Sequence, residues 1–409
     1  MLYWIFVPLE PWFQGFNLFR YITFRAAFAA ILAFLVVLVC GPGVVAWLRE
    51  RDLRGCVAHD SETLARLRES KQGVPTMGGV LILLAVAVAT LLLGRLDNLY
   101  VAVTLFAFLA FGVLGAVDDW TKLRIPGAKG LSERRKLAGQ IAIAGAALLV
   151  LYLAASERRP FVRAPEVAAS PYRHALEYAD RESAAAAVEA SISAPRAPRP
   201  SADHRTDLQV PFAKHLCIDL GLLFLLWGGL VVVGASNAVN LTDGLDGLAS
   251  GCVAIAALTF AVIAYLAGRA DVADFLFLFH LPGVGELTVV CAALAGASLG
   301  FLWFNGFPAT VFMGDTGSLA LGGTLGLVAM ATRHELSLLV VGGVFVAEAV
   351  SVIAQRRWFR WSGGRRLFRC APLHHHFQFQ GMHEVKVTIR FWIVAIILAM
   401  LALALLKLR

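Results

Sequence analysis

Ten stretches of this chain are each long and apolar enough to cross a bilayer, and that recurrence limits the fold more than any single motif does. A bilayer core takes about 20 apolar residues per helix, and lipid offers no partners to backbone groups, so only helices or closed barrels span it. The candidate spans are about 23–47, 78–95, 99–117, 137–155, 213–235, 246–267, 286–304, 317–332, 336–355 and 388–407. Composition agrees: 59% of the 409 residues are hydrophobic and 16% charged, against about 45–50% and 25% in soluble domains. The expectation is an all-α, polytopic integral membrane protein with ten transmembrane helices in one membrane domain. Disorder, collagen and a disulfide scaffold are excluded. Cys40, Cys56, Cys217, Cys252, Cys291 and Cys370 are scattered without a C-x-x-C pair and read as small hydrophobes.

Residues 1–22 carry Tyr3, Trp4, Phe6, Trp12, Phe13, Phe16 and Phe19, the pattern of an interfacial aromatic segment rather than a cleavable leader. Charge orients the spans. The connections after spans one, three and nine (48–77, 119–136 and 356–386) hold six, six and seven Lys or Arg. The positive-inside rule puts these loops in the cytoplasm and both termini outside. The net charge of +8 then reflects loops facing anionic lipid, with no nucleic-acid partner. The opposite loops are poor in charge except 156–211, where eight Arg balance eight Asp or Glu. Its Ala, Pro, Ser and Arg content reads as an extracytoplasmic, mostly disordered insert. It separates 1–155, with spans one to four, from 212–409, with spans five to ten.

Five polar clusters fall on the predicted cytoplasmic side. Lys71 to Gly79 (KQGVPTMGG) offers glycine-flanked backbone N–H groups and a point charge suited to an anion. Asp118 and Asp119 end span three; a carboxylate pair at a membrane edge is costly and supplies the oxygen ligands that suit Mg²⁺. Asn237 to Gly247 contains Asn240, Asp243 and Asp246. The two acids share a face in any helical turn, although Asp and Asn also cap helices. Asp315 is the lone acid between glycines in 305–318, a cation ligand or the N-cap of span eight, and Phe312 in that loop stacks on a base or packs. His374, His375 and His376 cannot all chelate one ion from one helical face; a proton donor, a phosphate contact and a structural contact fit them better. Arg365, Arg366 and Arg369 nearby suit phosphates or lipid headgroups. Five carboxylates would repel a polyphosphate unless a divalent cation intervenes, so the clusters together point to phosphoryl-type transfer at a membrane surface.

At KQGVPTMGG, GAVDDWTK, NAVNLTDGLDGLA, FNGFPATVFMGDTGSLALGG and APLHHHF the chain closely resembles the phospho-N-acetylmuramoyl-pentapeptide transferase family, within the polyprenyl-phosphate N-acetylhexosamine-1-phosphate transferase superfamily. The likeness runs through nearly the whole chain except 156–211, and Val74 stands where the family commonly has Thr. The resemblance implies transfer of phospho-MurNAc-pentapeptide from UDP-MurNAc-pentapeptide to undecaprenyl phosphate, giving lipid I and UMP, with Mg²⁺ as cofactor. It implies a homodimer in the bacterial inner membrane with the site facing the cytoplasm. Carried over residue by residue, Asp118, Asp119 and Asp315 become catalytic acids and metal ligands, with Asp315 first, and His375 joins them. Lys71, Thr76, Asn240, Asp243, Asp246, Phe312, Gln355, His374 and His376 line the nucleotide and substrate pocket, Phe312 stacking on uracil. Lys122 and Lys136 match basic residues on the lipid-phosphate side.

Three rivals are distinguishable. Against a sister transferase using UDP-N-acetylglucosamine, the PLHHHF loop favours the muramoyl-pentapeptide branch. A non-catalytic membrane scaffold would have no need of five aligned polar loops. An ion-coupled transporter would carry its acids near mid-span, whereas these cluster at span ends on one face.

Overall fold

The computed structural model describes residues 1–51, 71, 73–124, 130–157, 206–209, 217–276 and 278–407. Of the expected insert, 158–205 and 210–211 lie outside the described residues. The chain opens with the short helix α1 (Leu2–Phe6) and two 3₁₀ turns. In this aromatic segment Phe6 stacks on Phe16 and Phe19. The helices that follow are α2 (Ile22–Glu50), α3 (Gly79–Leu93), α4 (Leu99–Arg124) and α5 (Glu133–Glu157). A two-stranded antiparallel ribbon, β1 (Asp207–Gln209) with β2 (Cys217–Asp219), pairs Leu208 with Ile218. Next come α6 (Leu223–Thr242), α7 (Leu248–Ala267), α8 (Ala270–Leu276), α9 (Leu287–Asn305) and α10 (Gly314–Thr332). The last four are α11 (Glu335–Val341), α12 (Gly343–Trp361), α13 (Leu373–Gln378) and α14 (Glu384–Leu405).

Among the described residues, seven helices are long and apolar enough to cross a membrane, and the bent pair α11–α12 raises this to eight. The protein is therefore a helical, multi-pass membrane protein. The other two expected spans, α3 with 15 residues and the polar-studded α10, are helical but do not meet that measure.

Helix α10 is the axis of the bundle. Every residue from Thr316 to Thr332 is buried, by α4 and α6 chiefly and by α3 and α7. A second pack joins α9 to α2, α7 and α3. Small residues permit the approach, as they do generally between helices in lipid. At Gly79 a side chain would collide with the backbone of Gly317, so the starts of α3 and α10 lie in direct contact. The N–H groups of Gly78 and Gly79 donate to the carbonyls of Phe312 and Met313 at 2.8 and 2.9 Å. The first and fourth sequence clusters are thereby sewn together.

Several expected boundaries move. Span five was placed at 213–235, but the helix starts at Leu223. Residues 217–219 pair as β2, and Gly221 (φ +48°) turns the chain between strand and helix. At its other end α6 runs through Asn237 and Asn240. Helix α4 continues two turns beyond its expected end, so Asp118 and Asp119 sit within a helix. Span nine is not one rod: α11 and α12 meet at 85°, where Gly342 and Gly343 supply a break with no side chain to hold the turn.

Candidate active site

Two helices bring three carboxylates together. Adjacent on α4, Asp118 and Asp119 both face inward and are 2% and 4% exposed. Asp315 lies in the first turn of α10. Ligand oxygens of the three all lie within 4.8 Å of one another. Each is held differently. Asp119 accepts from the N–H of Asp315 and Thr316 at 3.2 and 2.9 Å and from the Thr316 hydroxyl at 2.7 Å. It thus serves orphan donors at the N-terminus of α10, where negative charge is favoured. Asp118 accepts from the N–H of Leu131 at 2.7 Å and pairs with Lys122 at 2.6 Å. Asp315 meets Lys136 at 2.5 Å and Lys122 at 2.9 Å, and Asn240 donates to its other oxygen at 2.7 Å. Asn240 also reaches Ser318 at 2.9 Å.

The N-cap role considered for Asp315 is not observed. Met313 occupies that position and makes no side-chain cap bond; the N-terminal donors go to Asp119 instead. Gly314 precedes Asp315 at φ +72°, in contact range of the Asp119 carboxylate and the Thr76 hydroxyl. A side chain there would be strained and would press on both groups, so glycine lets the α10 start close on them.

A second ionic group lies beside the first. Lys71 contacts Asp246 at 2.6 Å and Glu384, at the start of α14, at 2.5 Å, with its ammonium 6.0 Å from the Phe312 ring centroid. Asp246 accepts from the N–H of Ala309 at 2.9 Å, and its own N–H donates to Glu384 at 2.7 Å. Phe312 is half-buried, held through its N–H to the Pro75 carbonyl at 2.8 Å. Residues 243–247 form turns rather than a helical turn, so Asp243 and Asp246 do not share a helix face as expected. The N–H of Asp243 closes the end of α6, and the residue before α7 is Gly247, so neither acid caps that helix.

The histidines divide their tasks on α13. His374, 1% exposed, sits 3.2 Å from Glu348 of α12, which also accepts its backbone N–H at 3.1 Å. Its ring lies against Gly244, where any side chain would collide with it. This contact ties α13 to the turn that follows Asn240. His375 contacts Gln378 at 2.8 Å. His376 accepts the N–H of Arg369 at 3.1 Å and meets Gln380 at 2.8 Å. Gln355 accepts the N–H groups of Leu367 and Phe368 at 3.0 and 2.8 Å, an anchor for the loop leading to α13.

The structure thus gathers Asp118, Asp119, Asp315, Lys122, Lys136 and Asn240 in one group, Lys71, Asp246 and Phe312 in an adjoining one, with Thr76 beside Gly314 and His374 against the 244 turn. In this state Gln355 and His376 spend their hydrogen bonds on the loop between α12 and α13 and on Gln380 just after α13, while the His374 ring faces Glu348 of α12. Glu384, Glu348, Thr316 and Ser318 were missed from the sequence. Glu348 left a signal, being the only charged residue within 336–355; an ionisable group inside a span is functional by default. Behind α13, a cavity of about 270 Å³ is lined by Val344, Leu373, Phe377, Val387, Phe391 and Val394, with Arg390 also in its wall.

The chain matches the model of glycosyl transferase family 4 over residues 98–333, more than half its length, and phospho-N-acetylmuramoyl-pentapeptide-transferase signature 1 over 71–83. It is 44% identical to the phospho-N-acetylmuramoyl-pentapeptide-transferase of Solidesulfovibrio magneticus and 45% to that of Maricaulis maris, each over the full length of both chains. The enzyme of the same name from a Geobacter species is 42% identical, again over the full length of both chains.

Proposed function

The chain belongs to the phospho-N-acetylmuramoyl-pentapeptide-transferase family, and from that premise we propose that it transfers phospho-MurNAc-pentapeptide from UDP-MurNAc-pentapeptide to undecaprenyl phosphate, yielding lipid I and UMP. The observation that carries the reading is the convergence of Asp118, Asp119 and Asp315 with Lys122 and Lys136 at the N-terminus of α10. An anionic nucleotide and an anionic lipid head must meet there despite their repulsion, and this mixed set of charges suits that task.

The donor set fits Mg²⁺: three carboxylates from two helices within a few ångströms of one another are hard oxygen ligands, with Asp315 the most accessible of them. When bound, Mg²⁺ would offset charge on the pyrophosphate and on departing UMP. The chain's own groups do the rest. Lys122 and Lys136 hold the acceptor phosphate. Its second pKa is about 6, so it is largely dianionic and nucleophilic at neutral pH. Asp118, joined to Lys122, takes any proton the acceptor retains. An acceptor oxygen bonds to the sugar-bearing phosphorus, and the bond from that phosphorus to the UMP oxygen breaks. Lys71 and Phe312 hold the nucleotide, the ring stacking on uracil, and His375 is assigned to the catalytic group by the family resemblance. Asp119, committed to three donors of α10, is poorly placed as a covalent nucleophile, which supports a one-step transfer.

The basic loops support a site on the cytoplasmic face of the inner membrane and ten crossings, α3, α10 and the bent α11–α12 completing the seven longer spans. The apolar cavity behind α13 is wide enough to take part of a polyprenyl tail. The test is UMP release by purified protein. Release should require Mg²⁺, undecaprenyl phosphate and UDP-MurNAc-pentapeptide together; equal release with UDP-N-acetylglucosamine would overturn the substrate assignment.

A further inference from the structure

Helix α12 ends in an exposed arm. Residues 356–361, Arg356-Arg357-Trp358-Phe359-Arg360-Trp361, are all exposed, Trp361 by 82%. Six consecutive exposed residues make more than a turn and a half, so this part of the helix projects from the protein on every side. Its composition is sorted around the axis. At about 100° per residue the three arginines fall within about 100° of arc, and the three aromatics cover the remainder. Trp358 and Trp361 lie edge to face at 5.5 Å and form one patch. Beyond the glycine turn at Gly363 and Gly364, Arg365, Arg366 and Leu367 are exposed as well.

These arginines differ from the lysines of the active site. Lys71, Lys122 and Lys136 are each neutralised by carboxylates. Among the described residues, none of Arg356, Arg357, Arg360, Arg365 and Arg366 has a carboxylate within ion-pair distance, and 356–383 contains no acid at all. Arg360 donates to the Arg356 carbonyl within the helix, at 3.3 Å. Five unneutralised guanidiniums next to three exposed rings are stable neither in hydrocarbon nor as an apolar patch in water. They suit the boundary between the two, with rings at the acyl edge and guanidiniums among phosphates.

We propose that the α12 arm and the following turn form a binding surface for the phosphate headgroups of anionic phospholipid. The occupant is bulk membrane lipid, apart from the acceptor substrate. The arm is also coupled to the site: Gln355, at its root, holds Leu367 and Phe368, and Arg369 donates through its N–H to His376. Lipid bound here would hold the loop that carries α13.

The experiment reads binding rather than turnover, so it stands whatever the enzyme's substrate proves to be. Full-length protein is extracted from vesicles of mixed phosphatidylglycerol and phosphatidylcholine, and retained lipid is counted by native mass spectrometry. The parent should retain phosphatidylglycerol preferentially, and increasingly so as salt is lowered. R356Q/R357Q/R360Q should weaken that retention roughly a hundredfold, whereas the corresponding triple Lys variant should keep most of it. Retention that is insensitive to salt in the parent, or unchanged in the Gln variant, would overturn the proposal. So would displacement of the lipid by millimolar inorganic phosphate, which would make the arm a site for soluble anions.

Discussion

Lys136 at the start of α5 and Asp315 in the first turn of α10 form an ion pair, Nζ to Oδ2, at 2.5 Å. The two residues are 179 positions apart. Lys122 shares the same oxygen at 2.9 Å, so one carboxylate oxygen gathers two ammonium groups while the other is held by Asn240. A cation entering this site must displace or share with those lysines, and an anionic substrate that draws them away frees the carboxylate for it. On the proposed function, metal and phosphate binding would then support each other.

Asp315→Asn should therefore abolish Mg²⁺ dependence and lower turnover by about a hundredfold or more, the scale on which electrostatic stabilisation of developing charge acts. Amide and carboxylate are similar in size, so the thermal unfolding temperature should move little. A folded variant with normal Mg²⁺-dependent UMP release would remove Asp315 from the site.

Phe312→Ala should raise the KM for the UDP-substrate roughly ten- to hundredfold, since base–aromatic stacking is worth about 1–3 kcal/mol. The KM for undecaprenyl phosphate should change much less. If both rise together, the ring is packing the Pro75–Phe312 junction rather than holding the base.

Replacing Glu348 tests whether α13 is positioned from α12. Glu348→Ala leaves the buried N–H of His374 without its acceptor, a loss of about 1–3 kcal/mol, and should lower kcat. Glu348→Gln retains an acceptor for that N–H and should recover much of the loss. An Ala variant with parental kcat and stability would show that the histidine helix holds itself.

Far from the acids, Arg25 on α2 makes a bidentate contact with Glu286 at 2.7 Å through both nitrogens, and also donates to the Leu93 carbonyl at the end of α3 at 3.2 Å. Both side chains are buried. Glu286→Gln should cost about 3–5 kcal/mol, because it strands a buried guanidinium. The KM values of the remaining folded enzyme should be unchanged. A drop in unfolding temperature with intact kinetics is the expected result; a kinetic defect without loss of stability would contradict it.

The sequence by itself determined that this is a helical membrane protein, and it singled out the acids and lysines that the fold brings together at the candidate site. Both are local properties: apolar run length decides what crosses lipid, and a charged residue at a span end is visible without knowing its neighbours. It also exposed the family through five contiguous motifs. Tertiary structure alone decided the pairings. That Asp119 serves the start of α10, that Glu384 joins Lys71 to Asp246, and that Glu348 holds His374 all depend on residues 26 to 313 positions apart. Such partners carry no periodicity between them, so hydropathy cannot reveal them. The boundaries moved for a related reason. Asp118 could remain in a helix beyond the expected end of span three because Lys122, Lys136 and the Leu131 N–H neutralise or satisfy it. The bend at Gly342–Gly343 formed where two side chains are missing and α12 turns away from α11 at 85°. Run length measures how apolar a segment is, but whether a buried charge is tolerated or a helix bends depends on what packs against it.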